Sequence, residues 1–76
     1  MKELKLPKLG HVMEDGMISE WLIGVGDSVS KGDVILKVET EKSVLDVESA
    51  FDGILKEIII EAGETIPVGT VIALFE

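Results

Sequence analysis

From Val34 to Ser49 the chain alternates between apolar and charged positions on both sides of Glu41 and Lys42. Leu36, Val38, Leu45 and Val47 are apolar, and Lys37, Glu39, Asp46 and Glu48 stand between them. A period of two marks strands with one buried face. With Glu41 and Lys42 as a two-residue turn, Thr40 faces Ser43, Val38 faces Leu45 and Leu36 faces Val47. Lys37 then falls opposite Asp46 on the other face, an opposite-charge pair of the kind that stabilises a ladder. A slip of one residue would set inward side chains against outward ones, which a half-buried strand does not tolerate. The pattern therefore predicts a β-hairpin with a lysine at its tip. Glu-Lys is not a pair that favours a tight primed turn, so the register comes from the flanks.

The same periodicity predicts strands over residues 3–6, 17–23 and 54–60, a short extended piece over 28–30, and a closing strand over 71–75. Pro7 ends the first strand, and residues 7–15 read as a loop closing on the turn signal Glu14-Asp15-Gly16. Turn clusters follow at residues 24–27, 31–33, 51–53 and 62–64. No helical period is present, β-branched residues are frequent, and an antiparallel sandwich or small barrel is expected.

An internal repeat sharpens this. At an offset of 37 without a gap, Gly16, Glu20, Ile23, Gly26, Gly32, Val34, Ile35 and Glu39 recur as Gly53, Glu57, Ile60, Gly63, Gly69, Val71, Ile72 and Glu76. Conservative matches such as Ser28 with Thr65 and Val29 with Ile66 accompany them. Gly16, Gly26, Gly53 and Gly63 are placed at turns, where a cramped or left-handed backbone needs glycine. Two copies are too few for a solenoid; they suit two interlocked sheets related by a pseudo-twofold axis. The first copy runs on from Glu39 into the hairpin tip and the second stops at Glu76, so tip and termini should lie at opposite ends.

Composition narrows the function classes. Seventy-six residues are expected to form one domain, 1–76, with a thin core. The chain has no cysteine and a single histidine, His11, so neither a thiolate site, a cysteine nucleophile nor a multi-histidine metal site is available. Seven lysines against fifteen acids give a net charge of −8. That charge disfavours nucleic acid and acidic membrane surfaces and favours a soluble, monomeric domain. No apolar run is long enough for a membrane span and no signal peptide opens the chain.

Taken together, the residues resemble the lipoyl domains of 2-oxo acid dehydrogenase complexes along essentially the whole chain. Such domains carry a Glu-Thr-Asp-Lys-Ala type motif, and the corresponding run here is Glu39-Thr40-Glu41-Lys42-Ser43. The family's glycines sixteen residues before and eleven after the lysine match Gly26 and Gly53. Residues 6–21, Leu-Pro-Lys-Leu-Gly-His-Val-Met-Glu-Asp-Gly-Met-Ile-Ser-Glu-Trp, look most like the pyruvate- and acetoin-dehydrogenase acyltransferases. Glu41 in place of aspartate and Ser43 in place of alanine depart from the usual motif.

The resemblance implies an all-β flattened sandwich of two four-stranded antiparallel sheets with pseudo-twofold symmetry. It implies lipoic acid amide-linked to Lys42, with Glu39, Thr40, Glu41 and Ser43 as flanking recognition residues and residues 10–15 as a loop beside the tip. A lysine amine in water, with a pKa of about 10.4, is protonated and weakly nucleophilic at neutral pH. Activation would come from a lipoate ligase or octanoyltransferase. The implied partners are a thiamine-diphosphate-dependent 2-oxo acid or acetoin dehydrogenase, the acyltransferase site and dihydrolipoyl dehydrogenase, in bacterial or archaeal cytoplasm or the mitochondrial matrix. No catalytic site is expected in the domain itself.

Three other readings compete. A biotinyl carrier shares the Gly-Asp-x-Val pattern that begins at Gly26, but flanks its lysine with methionine where this chain has Glu41 and Ser43. An unmodified adaptor leaves the motif unexplained. A hydrolase or transferase lacks convergent acids.

Overall fold

The computed structural model describes residues 1–8, 14–41 and 43–76, and every described element is a strand or a turn. Eight strands form: β1 (Lys2–Lys5), β2 (Asp15–Trp21), β3 (Ser28–Val29), β4 (Val34–Glu39), β5 (Val44–Glu48), β6 (Gly53–Ile58), β7 (Thr65–Pro67) and β8 (Val71–Phe75). They make two four-stranded antiparallel sheets, ordered β1-β8-β6-β3 and β5-β4-β2-β7. Each strand of one sheet stands where its counterpart stands in the other, β1 for β5, β8 for β4, β6 for β2 and β3 for β7.

The symmetry reaches single residues. Ile18 pairs with Val38 and Trp21 with Leu36, while Leu55 pairs with Phe75 and Ile58 with Ala73. Both pairings are broken by a bulge, between Ile18 and Glu20 and between Leu55 and Glu57. A second pair of irregularities lies between Val34 and Leu36 and opposite the break between Leu4 and Lys5. These leave Ile35 and Ile72 as extra residues. An extra residue rotates the strand locally, which lets the consecutive residues Ile35 and Leu36, and Ile72 and Ala73, all be fully buried.

The turns repeat too. The N–H of Gly24 donates to Asp27 Oδ2 (2.8 Å) and that of Glu61 to Glu64 Oε2 (3.2 Å). Ser30 N–H donates to Asp33 Oδ2 (2.8 Å), but its counterpart Pro67 has no N–H to give. There the bond reverses, and Thr70 Oγ1 donates to Pro67 O (2.8 Å). Gly26 and Gly63 both sit at φ +97°, a region an L side chain adopts only under strain.

Gly16 and Gly53 do not occupy turns, contrary to expectation. Gly16 lies within β2, opposite Ile66, and Gly53 opens β6, opposite Val29. What Gly53 accommodates is a close approach: a Cβ there would lie 2.8 Å from the carbonyl oxygen of Glu76. Other boundaries move for a related reason. β2 begins at Asp15 because Asp15 and Gly16 pair with β7, a partner remote in sequence. β1 runs one residue earlier than the alternation indicated, and Leu6 leaves the strand to exchange backbone bonds with Gly69 and Thr70.

The core between the sheets is built from Leu4, Leu6, Ile18, Val29, Ile35, Leu36, Val38, Val47, Leu55, Ile66, Ile72, Ala73 and Phe75. Among the described residues Ser49 is the buried polar one; its hydroxyl bonds to Phe51 O, and its backbone to Gly32 and Asp33. The molecule measures 31 × 21 × 18 Å, longer in one direction than in the other two.

Candidate functional site: the β4–β5 hairpin

The hairpin register is the one the alternation predicts. Val38 pairs with Leu45, Leu36 with Val47, Lys37 with Asp46 and Glu39 with Val44. Leu36, Val38 and Val47 are buried, so the register is held by the core rather than by the turn. Lys37 and Asp46 share a register position without closing an ion pair; among the described residues the salt bridge that forms is between Lys56 and Glu76, at 2.6 Å.

Beyond Glu39 and Val44 one further rung follows. Thr40 N–H donates to Ser43 O at 2.8 Å, and Thr40 Oγ1 donates to the same oxygen at 3.1 Å. Glu41 and Ser43 are exposed and Thr40 is half-buried. Lys42, between Glu41 and Ser43 in sequence, lies outside the described residues, as do residues 10–13 of the expected neighbouring loop.

The loop's last residues are described. Glu14 O accepts from Val68 N–H (2.9 Å), Asp15 pairs with Pro67, and Met17 pairs with Glu39. Glu14, Asp15, Glu39 and Glu41 thus bring four exposed carboxylates to the hairpin end of this sheet. Strap residues 67 and 68 were not singled out in the sequence, although the repeat maps Ser30 and Lys31 onto them.

Chain direction separates this end from the termini. Pro67, at the hairpin end, accepts from Thr70 N–H, so β8 starts there and runs away from it. Its far end is capped by backbone bonds between Glu76 and Ile54, by Phe51 set edge-on to Phe75 (5.3 Å), and by Lys2 Nζ 5.3 Å from the Phe51 ring centre. Lys2 and Lys56 are thereby engaged at the terminal end, and Lys37 is half-buried on the sheet face.

The described strands make a two-sheet domain that presents one hairpin at the end opposite its termini, an architecture suited to carrying a group on that hairpin. Comparison with known proteins agrees. The biotin and lipoyl domain family, described as that of biotin-requiring enzymes, matches residues 2–75, and the chain belongs to it. It is 43% identical over 74 residues to the dihydrolipoyllysine-residue succinyltransferase component of the 2-oxoglutarate dehydrogenase complex of Staphylococcus saprophyticus, covering 97% of this chain and 18% of the relative. It is 41% identical over 71 residues to the dihydrolipoyllysine-residue acetyltransferase component of the acetoin cleaving system of Pseudomonas putida, covering 93% of this chain and 19% of the relative. The chain thus spans less than a fifth of the length of either. The solution structure of the lipoyl domain of the Azotobacter vinelandii 2-oxoglutarate dehydrogenase complex superposes with a TM-score of 0.77 at 26% identity, covering 100% of this chain and 96% of that one.

Proposed function

We propose that this domain is a lipoyl carrier, with lipoic acid joined by an amide to Lys42. The observation that carries the reading is the hairpin: buried Leu36, Val38 and Val47 fix its register, and the Thr40 and Ser43 rung leaves only Glu41 and Lys42 to form the turn. The flanks suit a tethered group, since Glu41 and Ser43 are both exposed and hold nothing against the core. Glu41 and Ser43 also take the places where a biotinyl domain carries methionine, which favours lipoate over biotin.

Lys42 would hold the lipoic acid, whose disulfide would supply the means to accept an acyl group reductively at a thiamine-diphosphate decarboxylase, with an acyltransferase and dihydrolipoyl dehydrogenase as the partners that would unload and reoxidise it. The chain's own residues hold, orient and exclude. The core fixes the register of the hairpin, which stands at the end of its sheet away from the terminal cap. The absence of cysteine removes any thiol of this chain that would exchange with the bound disulfide. The carboxylates of Glu14, Asp15, Glu39 and Glu41 give the docking end a sign that steers partners. As a tethered module the domain raises the carrier's local concentration at successive active sites.

The test is incubation with lipoate ligase, ATP and lipoate, followed by peptide mapping. Label is expected on Lys42 alone and none on Lys42→Ala. Label on Lys2, Lys5, Lys8, Lys31, Lys37 or Lys56, or undiminished label on Lys42→Ala, overturns the reading.

A further inference from the structure

Thr40 gives both of its hydrogens to one acceptor. Its N–H and its Oγ1–H donate to Ser43 O at 2.8 and 3.1 Å. A carbonyl oxygen has two lone pairs, so the two bonds coexist. The residues they enclose, Glu41 and Lys42, lack the preference for positive φ that stabilises a tight two-residue hairpin turn. The turn therefore draws little definition from its own side chains. The core contributes nothing at this point either, because the last apolar rung below, Val38 with Leu45, lies two residues down each strand. Between it and the turn stands the pair Glu39 and Val44, both exposed.

We propose that the Thr40 hydroxyl is a positioning group for the modification of this hairpin. It keeps the last rung closed, so that the turn is presented to the modifying enzyme in one geometry. The inference rests on the reading of Lys42 as the attachment site. It gives Thr40 a role different from that of its neighbours: Glu41 and Ser43 are exposed and available for direct contact, whereas half-buried Thr40 acts through the Ser43 backbone. If only the closed rung is competent, the enzyme's apparent affinity falls in proportion to the closed fraction. Loss of one hydrogen bond of this kind lowers the closed-to-open ratio by about twofold to tenfold, which bounds the fall in the closed fraction.

The experiment compares wild type with Thr40→Val, which keeps the shape and loses the hydroxyl, and Thr40→Ser, which keeps the hydroxyl. Lipoate ligase kinetics, thermal unfolding and amide exchange at residue 40 are measured on all three. Thr40→Val is expected to exchange its amide about twofold to tenfold faster and to lose kcat/KM, mostly through KM, by up to the same factor. Its unfolding transition should stay close to wild type, and Thr40→Ser should recover both properties. Should Thr40→Val not fold, Thr40→Ala removes the same hydroxyl and is held to the same comparison. Wild-type kcat/KM in the hydroxyl-free variant, or Thr40→Ser as impaired as Thr40→Val, overturns the proposal. Absence of any label on wild-type Lys42 overturns the lipoyl reading instead. The exchange measurement then still decides the clamp, which unchanged exchange in Thr40→Val would refute.

Discussion

Gly53 and Gly24 both stand beside a turn, yet the space around them predicts opposite outcomes on substitution. A Cβ at Gly53 would press on the Glu76 carbonyl oxygen at 2.8 Å, a backbone atom tied into a pair of hydrogen bonds with Ile54. Gly53→Ala is expected to cost about 1–3 kcal/mol, the range for forced overpacking. At Gly24 the nearest atom to a new Cβ is Asp27 Oδ2 at 3.9 Å, and φ is not positive. Gly24→Ala should therefore be neutral or stabilise by up to about 1 kcal/mol, by restricting the unfolded chain. Urea unfolding of the two variants checks both, and equal midpoints would contradict the packing account. The sequence marks glycines but not the reasons for them. Gly26 and Gly63 are set by φ, which a repeat of turn signals makes legible; Gly53 is set by Glu76, twenty-three residues away, which no local pattern displays.

Among the elements, the β4–β5 hairpin was the most legible and β7 the least. Alternation with one buried face admits a single register, and Val38 with Leu45 and Leu36 with Val47 are found as read. The run from Thr65 to Pro67 is only three residues long and pairs with β2, so its local pattern carries no strand signal. Only its match to Ser28 and Val29 in the first repeat points to it. The bulges were hidden for a similar reason, since Ile35 beside Leu36 looks locally like a short apolar run rather than a break in alternation. Because the core sets the register, exchanging Glu41 with Lys42 should leave fold and net charge intact while moving the amine by one residue. Near-complete loss of lipoylation is expected, with little change in the melting temperature, because Glu41 is exposed and outside both strands. Normal modification of a folded exchange variant would show that side-chain chemistry, not placement, marks the lysine.

On the scale of the molecule, the two related sheets give the domain two different ends. The terminal end is closed by Phe51, Phe75 and the ion pair of Lys56 with Glu76; the hairpin end carries Glu14, Asp15, Glu39 and Glu41. Glu14 bonds to Val68 and Asp15 pairs with Pro67 at the hairpin end, whereas residues 10–13 of the expected loop lie outside the described residues. Exchanging residues 10–15 for the loop of a domain from a different complex should alter reductive acylation by a thiamine-diphosphate decarboxylase and leave lipoylation intact. Unchanged acylation rates with both decarboxylases would remove the loop from partner selection. The exposed ion pair at the opposite end predicts the converse. Lys56→Met should cost no more than about 1 kcal/mol by urea unfolding and leave modification untouched, because solvent screens such pairs.

Which group this hairpin receives, and where, can be read in one experiment. Expression in cells that hold both lipoate and biotin ligases, with both vitamins supplied, lets the two modifications compete on the same protein. Intact mass followed by peptide mapping then reads the outcome directly. One lipoyl group per chain, on Lys42, is the expected result; biotin at that position, or a chain left unmodified while a known lipoyl domain in the same cells is fully lipoylated, would contradict the lipoyl reading.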